Sequence, residues 1–371
     1  MAKIFFSLSG EGRGHATRVR AIVEQLRDQH EILIYAPGEA FKFLHPIYRD
    51  TDIRVQRVAG LRFHYTKSRR LDFRKTGTQA LGYCKRLPSL VAMLKRAIGE
   101  HQPDLIISDF EPALPRAARQ LSVPFISIDH QNFLTTYDLS SMPLSLRLHA
   151  AYMGAIVRGY CRHQVHRIVS SFYFPPLKRG LKNVSQVGVM LREDVRAAEP
   201  TNEGHLVAYW RRFAGGNVLQ ALESIGREVR IYGLGKQPTR KNLVFNDIDE
   251  QGFVEDLATC DALISTAGNQ LVGEALYLGK PVFGMPEARN YEQYMNGHFL
   301  QQSGAGRTME LERLTGGDLR DFLENLDVYR SRIDRQRMNG LPRTLSIVNR
   351  FLANPEWLTK PQLQPEFIPA A

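Results

Sequence analysis

The sequence predicts an α/β protein made of two consecutive units, each a parallel sheet wrapped by helices. Three observations predict it. Short apolar runs rich in Ile, Val and Phe alternate with longer stretches of helical periodicity, the pattern of strand–helix–strand units. That pattern pauses at residues 188–198 and then restarts. The 371 residues also exceed what one ordinary core holds and fit two units of under about 200 residues each.

The elements follow in order. Lys3–Leu8 predicts a first strand, Gly10–Gly14 a glycine turn and Ala16–Gln29 a helix. Glu31–Ala36, Asp104–Ser108 and Pro124–Asp129 predict further strands, continuously apolar as parallel strands covered on both faces are. Arg167–Ser171 predicts the last strand of the first unit, residues 1–187, and residues 188–198 read as a linker. The second unit, 199–340, holds predicted strands at His205–Trp210, Glu228–Tyr232, Leu243–Asn246, Ala262–Ser265 and Pro281–Met285. Helices are predicted at Gln270–Leu278 and Glu292–Ser303. Residues 341–371 read as a last helix, about Leu345–Leu352, and a proline-bearing tail expected to be poorly ordered. Two such units make a cleft, and ligands of such sheets sit at the carboxyl ends of the strands.

Composition narrows the class. The start is not a secretory signal, and no stretch approaches the roughly 20 apolar residues of a membrane span. Cys84, Cys161 and Cys260 lie far apart and form neither a metal pattern nor a disulfide framework, so a cytoplasmic setting is expected. The net charge of +11 is one-sided. Residues 1–190 carry 28 Lys/Arg against 14 Asp/Glu, and no acid occurs between Asp138 and Glu193. A basic half implies an acidic partner: anionic lipid, a phosphorylated acceptor or nucleic acid. Solubilising charge is the plainer explanation. It covers scattered lysines better than a one-sided excess.

Gly10-Glu-Gly12-Arg-Gly14-His15-Ala-Thr-Arg18 follows the first strand. Alternate glycines let backbone approach a ligand, and the helix behind them favours anionic oxygens. The spacing is not the dinucleotide fingerprint, because His15 stands where its third glycine would be. A histidine there can take a proton from a hydroxyl. A packing or capping histidine is the alternative. Asp109 ends the strand of Pro103-Asp-Leu-Ile-Ile-Ser-Asp109-Phe-Glu-Pro on the same side of the sheet. It is placed to orient the imidazole, or else to cap a helix.

The second stretch is Ile264-Ser-Thr266-Ala-Gly268-Asn269-Gln270-Leu-Val-Gly-Glu274, with Gly279-Lys-Pro281 behind it. It predicts strand, turn, helix and turn. Gly268 is expected to free the turn, the N–H groups of Asn269 and Gln270 to meet phosphate oxygens, and Glu274 to accept from ribose hydroxyls. Glu292 and Gln293 open the next helix. One acceptor-only group beside an amide can sort sugar hydroxyls, and a helix-capping pair is the alternative. Asp247-Ile-Asp249 reads as solvated loop rather than a metal motif.

These residues carry a resemblance. Residues 252–306 and the turn at 10–18 resemble the GT-B glycosyltransferases. The nearest in pattern are the UDP-glycosyltransferases and the enzyme that adds N-acetylglucosamine to a lipid-linked peptidoglycan precursor. The resemblance implies two Rossmann-like domains, acceptor in the first and donor in the second. It implies His15 as base and Asp109 as its orienting acid. It implies a donor site from Gly12, Gly14, Thr266, Gly268, Asn269, Gln270, Glu274, Glu292 and Gln293, with the base of the nucleotide on the backbone of Phe253-Val254. Thr266 departs from the histidine or arginine of many members, and Arg211 or Arg212 is a candidate for that charge. The reaction implied is inverting transfer from a nucleoside diphosphate sugar, UDP by family default, to a hydroxyl acceptor, with no metal cofactor.

Residues 62–96 carry ten basic residues against Asp72, so a lipid or lipid-linked acceptor at the cytoplasmic membrane face is expected, with a soluble acceptor beside a basic surface as the alternative. Two other readings stand beside this one. Gly14-His-Ala-Thr-Arg18 also resembles the nucleotide-sugar hydrolase of pseudaminic acid synthesis, where the histidine would activate water. The charge alone allows a nucleic-acid-binding protein, but no binding motif accompanies it, so no nucleic-acid partner is expected.

Overall fold

A computed structural model describes residues 1–10, 13–61, 73–160, 162–211 and 215–359. Gly12, Cys161, Arg212, most of the basic–aromatic stretch 62–75 and the tail beyond residue 359 lie outside the described residues. The chain divides into two units. The first holds Met1–Ser170, Phe174–Met190 and everything from Gly340 on, and the second holds Ser171–Tyr173 and Leu191–Asn339.

In chain order the first unit runs β1 (Lys3–Leu8), α1 (Arg13–Leu26), β2 (Glu31–Pro37), α2 (Gly38–Tyr48), β3 (Arg54–Val58), α3 (Phe73–His101), β4 (Leu105–Asp109), α4 (Ala113–Gln120), β5 (Phe125–Asp129), α5 (Phe133–Thr136), α6 (Leu144–Tyr160), β6 (His166–Ser170) and β7 (Val184–Val187). The second runs α7 (Glu193–Ala197), β8 (Leu206–Tyr209), α8 (Gly216–Glu223), β9 (Val229–Tyr232), β10 (Gln237–Arg240), β11 (Leu243–Asn246), α9 (Glu250–Thr259), β12 (Ala262–Ser265), α10 (Asn269–Tyr277), β13 (Val282–Gly284), α11 (Tyr291–Ser303), β14 (Gly306–Thr308), α12 (Gly316–Glu324), α13 (Leu326–Arg330) and α14 (Arg335–Met338). The chain then returns to the first unit as α15 (Leu341–Ala353) and α16 (Glu356–Thr359).

The first sheet has the order β3-β2-β1-β4-β5-β6-β7, and all its pairings are parallel. Its strands are apolar on both faces because helices cover both. Ile4, Phe6, Ile32 and Ile34 enter one core with α1, α2 and α15, while Phe5, Leu33, Tyr35 and Ile106 enter another with α3 and α4. The second sheet has the order β10-β11-β9-β8-β12-β13-β14 and is parallel except where β10 meets β11. In each sheet the strand order reverses beside the unit's first strand, at β1/β4 and at β8/β12. The carboxyl ends there are where such sheets open a ligand crevice.

Several expectations need correction. The helix predicted to begin at Ala16 begins at Arg13, so Gly14 and His15 lie in its first turn rather than before it. Arg167–Ser171 is not the last strand of its unit, because β7 pairs beyond β6. The presumed linker 188–198 is packed structure with buried Val189, Met190, Leu191 and Val195. The helix predicted at about Leu345–Leu352 starts at Leu341, packs Ile347, Val348 and Phe351 into the first core, and is not the last, since α16 follows it. No helix among the described residues is long and apolar enough to cross a membrane.

Candidate active site

The site in the first unit forms where β1 and β4 end side by side. The Ser9 amide donates to the Asp109 carbonyl, which carries the ladder past the last residue of β1. In the first turn of α1, His15 places Nδ1 2.8 Å from Asp109 Oδ1. Arg18, three residues on and so on the same helix face, donates Nη1 to the same oxygen at 2.8 Å. All three side chains are buried. An ionised carboxylate only accepts, so it selects the tautomer with the proton on Nδ1 and leaves the Nε2 lone pair to receive a proton. The sequence motif alone gives Arg18 no role. Its permanent charge anchors the carboxylate that orients His15. Asp109 Oδ2 and Arg18 Nε are buried without a hydrogen-bond partner among the described residues.

The next residue shapes the wall. Phe110 adopts φ 54°, a left-handed conformation that non-glycine residues seldom take. This turns its ring parallel to the His15 imidazole (centroids 6.4 Å, 11°) and onto Tyr160 (4.8 Å, 25°). Such strain marks functional positions more often than others. The helix cap that Asp109 was a candidate for is made by Glu111, which accepts from the amides of Ala113 and Leu114 at 2.7 and 2.9 Å. Burial pushes the Glu111 carboxyl up against those hydrogen bonds. A pocket lined by Gly10, Leu61, Tyr83, Phe110, Glu111 and Tyr160 lies at these strand ends.

Asp129 ends the neighbouring strand β5. Burial, then the negative charge of Asp109, pushes its carboxyl up to about 6, against the hydrogen bonds it accepts from Asn132. The sign follows from linkage. Below the ordinary carboxylate range both folded and unfolded states hold the proton. Between there and about pH 6 only the unfolded state releases it. Asp129 therefore makes stability fall as pH rises through that window, by on the order of 3 kcal/mol. Carbonyl 13C NMR of aspartate-labelled protein should show one carboxyl titrating near 6. Its midpoint should drop in Asp109→Asn, and an unmoved midpoint would remove the coupling.

In the second unit β12 ends in a turn whose strained residue is Ala267 (φ 56°), not Gly268. Asn296 holds that turn by donating Nδ2 to the Ala267 carbonyl at 3.0 Å, and accepts from the Tyr173 hydroxyl at 3.0 Å. Gly268 is the N-cap of α10 with φ −72°, which any residue adopts, and a Cβ there would meet nothing within 4 Å. A side chain at this position would therefore project into open space before the helix's positive end. Thr266, Asn269 and Gln270 are buried around this end, with Asn269 Oδ1 accepting from the Phe172 amide at 3.3 Å.

Glu274 is not an exposed acceptor. It is buried, takes a 3.0 Å hydrogen bond from Gln270 Nε2, and pairs with Arg192 Nη2 at 3.5 Å. The neighbouring carboxylates raise the Arg192 pKa against the opposing effect of burial, the largest single influence on it. No sequence signal points to Arg192, since it stands 82 residues before its partner.

Other residues in the predicted set have different duties. The Phe253 amide donates to the Asp249 carbonyl inside α9, and its ring packs against Tyr209 and Tyr232. Contrary to the expectation, Phe253 and Val254 are buried in helix and offer no loop backbone to a nucleobase. Asp249 caps α9 through the Gly252 amide, and Asp247 accepts from the Lys236 amide. The cap of α11 is Asn290. Gln293 spends its side chain on the Glu287 amide at 2.7 Å and on the Glu287 carboxylate at 3.3 Å, while Glu292 lies half-buried in the first turn. Arg211 follows β8 at an exposed position.

Comparison with known proteins bears on this geometry. The profile of the family described as Glycosyl transferase family 1 matches residues 2–327. A Methanosarcina acetivorans protein, named as an uncharacterized glycosyltransferase, is 23% identical over 91% of this chain and 94% of its own length. A Methanosarcina mazei protein of the same name is 23% identical over 83% of this chain and 86% of its own. Among solved structures, LpCGTa in complex with UDP is similar with a TM-score of 0.68 at 16% identity, covering 95% of this chain and 100% of that one. VinC in complex with dTDP gives 0.60 at 16%, covering 95% and 99%. Acinetobacter baumannii MurG gives 0.59 at 15%, covering 94% and 100%. The fold is that of the GT-B glycosyltransferases.

Proposed function

Because the chain belongs to glycosyl transferase family 1 and is a glycosyltransferase, we propose that it carries out inverting transfer of a sugar from a nucleoside diphosphate, UDP in the first instance, to a hydroxyl acceptor. The observation that carries this reading is the buried His15–Asp109 pair at the carboxyl ends of β1 and β4. His15 Nε2 takes the acceptor's proton. The oxygen then attacks the anomeric carbon from the face opposite the nucleotide, the carbon–phosphate oxygen bond breaks, and the electron pair leaves on the diphosphate. Asp109, held by Arg18, stabilises the imidazolium that results. The amino end of α10 binds the diphosphate and stabilises its developing charge, with Thr266, Asn269 and Gln270 around it. The UDP-bound and dTDP-bound relatives in fold support a pyrimidine nucleoside diphosphate. The acceptor's reacting hydroxyl is expected at the pocket of Tyr83, Phe110 and Tyr160.

Gly268→Asp tests the donor site with two opposed expectations. Aspartate is a good N-cap and suits the helix dipole, so the fold should hold or gain a few tenths of a kcal/mol. The same carboxylate would repel a diphosphate placed before α10. In a thermal-shift panel of nucleoside diphosphates, wild type should be stabilised by UDP or dTDP, by about 2.7 kcal/mol at a hundredfold excess over Kd. The variant should lose that response at least tenfold in affinity. A wild type indifferent to every nucleotide, or a variant that binds as well, would sink the donor assignment.

A further inference from the structure

We propose that α6 is a docking helix that seats the first unit on an anionic lipid surface. A helix on a protein normally turns its bulky apolar residues inward. α6 does the reverse. Its inner face is made of Ala150, Gly154 and Val157, and Gly154 lies so close to the α5 backbone that a Cβ would stand 3.3 Å from the Leu134 carbonyl oxygen. Its outer face carries Leu144, Leu148, Tyr152 and Ile156, four residues apart in series and 66%, 64%, 68% and 36% exposed. At 100° per residue these four make one stripe along the helix, and Arg147 and Arg158, both exposed, stand together on one flank of it. An apolar stripe of this length with a basic flank, and a tyrosine within it, is the pattern of a helix lying in a bilayer interface.

The surroundings continue the pattern. Arg116 of α4 donates to the carbonyl of Gly159 at 3.0 Å, which ties the end of α6 to the neighbouring groove between α3 and α4. That groove has an apolar floor including Leu87 and Val91 and a basic rim of Lys95, Arg96 and Arg116. The charge decides between occupants. No acidic residue occurs between Asp138 and Glu193, so a second copy laid on this face would set arginines against arginines. An anionic bilayer supplies the missing negative charge. The inference stands on α6 and does not depend on the transfer reading.

Flotation of the purified full chain tests it, with vesicles of phosphatidylcholine alone and of equal parts phosphatidylcholine and phosphatidylglycerol. Wild type should float only with the anionic vesicles, and less as salt rises. Leu148→Glu with Tyr152→Glu should abolish flotation, and Arg147→Gln with Arg158→Gln should weaken it roughly fivefold per arginine. Both pairs are exposed, so unchanged melting curves confirm that the variants fold. Three results would each overturn the proposal: no flotation of wild type, flotation that both variants retain, or a wild-type dimer in solution that the Leu148→Glu/Tyr152→Glu variant splits while vesicles are ignored.

Discussion

Replacing His15 by alanine is expected to lower turnover by about 10²–10⁴-fold while leaving nucleoside diphosphate binding intact. The split follows from position. His15 belongs to α1 in the first unit, bonds to Asp109, which Arg18 also holds, and lies parallel to the Phe110 ring, whereas the diphosphate is assigned to α10 in the second. Asp109→Asn should cost nearly as much, and should also destabilise the first unit because it leaves buried Arg18 without its carboxylate. An amide can offer its N–H₂ group to Nδ1, which would put the imidazole proton on Nε2, the wrong nitrogen for a base. Added imidazole should restore part of the His15→Ala activity if the ring acts on a proton, and none if it only packs. Released nucleoside diphosphate, counted with and without acceptors, reads the rates. It also distinguishes transfer from donor hydrolysis. Full turnover in His15→Ala would end the base assignment.

Removing the carboxylate of Glu274 is expected to destabilise the second unit by about 3 kcal/mol, because it leaves Arg192 buried without its partner. The loss sits at the lower end of the usual range, since Arg192 keeps Glu250 at 3.9 Å. Arg192→Met alone should also destabilise, and the double variant should be more stable than the two single effects added together. The chain offers a selective probe. Trp210 lies buried in the second unit and Trp357 is half-buried in the first, so a Trp357→Phe background leaves fluorescence that follows the second unit in urea. Additive effects would mean that the pair is incidental to the fold. An unchanged midpoint in Glu274→Ala, together with lost nucleotide binding, would return Glu274 to a purely ligand-facing role. Because the carboxylate already supports the protein, Gly268→Asp is the cleaner probe of the donor site.

The contrast between these two sites shows how far the linear chain could be read. The sequence by itself determined the α/β class, the restart of the pattern in mid-chain and the runs that became β1, β4, β5 and β12. Strands covered on both faces must be apolar at every position, and that signature is local. It also determined that His15 and Asp109 would lie on one side of the sheet, because parallel strands bring their carboxyl ends to one side whatever their order, while their contact depends on β1 and β4 being neighbours. The tertiary structure alone decided the rest. β10 is fully exposed and contains Pro238 at a sheet edge, so it carries no apolar signal and exists through its partner β11. Phe253 looked available until α9 took its amide and two tyrosines took its ring. Gly268 was expected to bend the chain, but Ala267 bends it and Asn296, 29 residues on, holds it there. Arg18 and Arg192 acquired their roles only from carboxylates 91 and 82 residues away. Whether a polar group is open to a ligand depends on which distant groups have already satisfied it. Burial and pairing are properties of the folded contact set, and no window of sequence contains them.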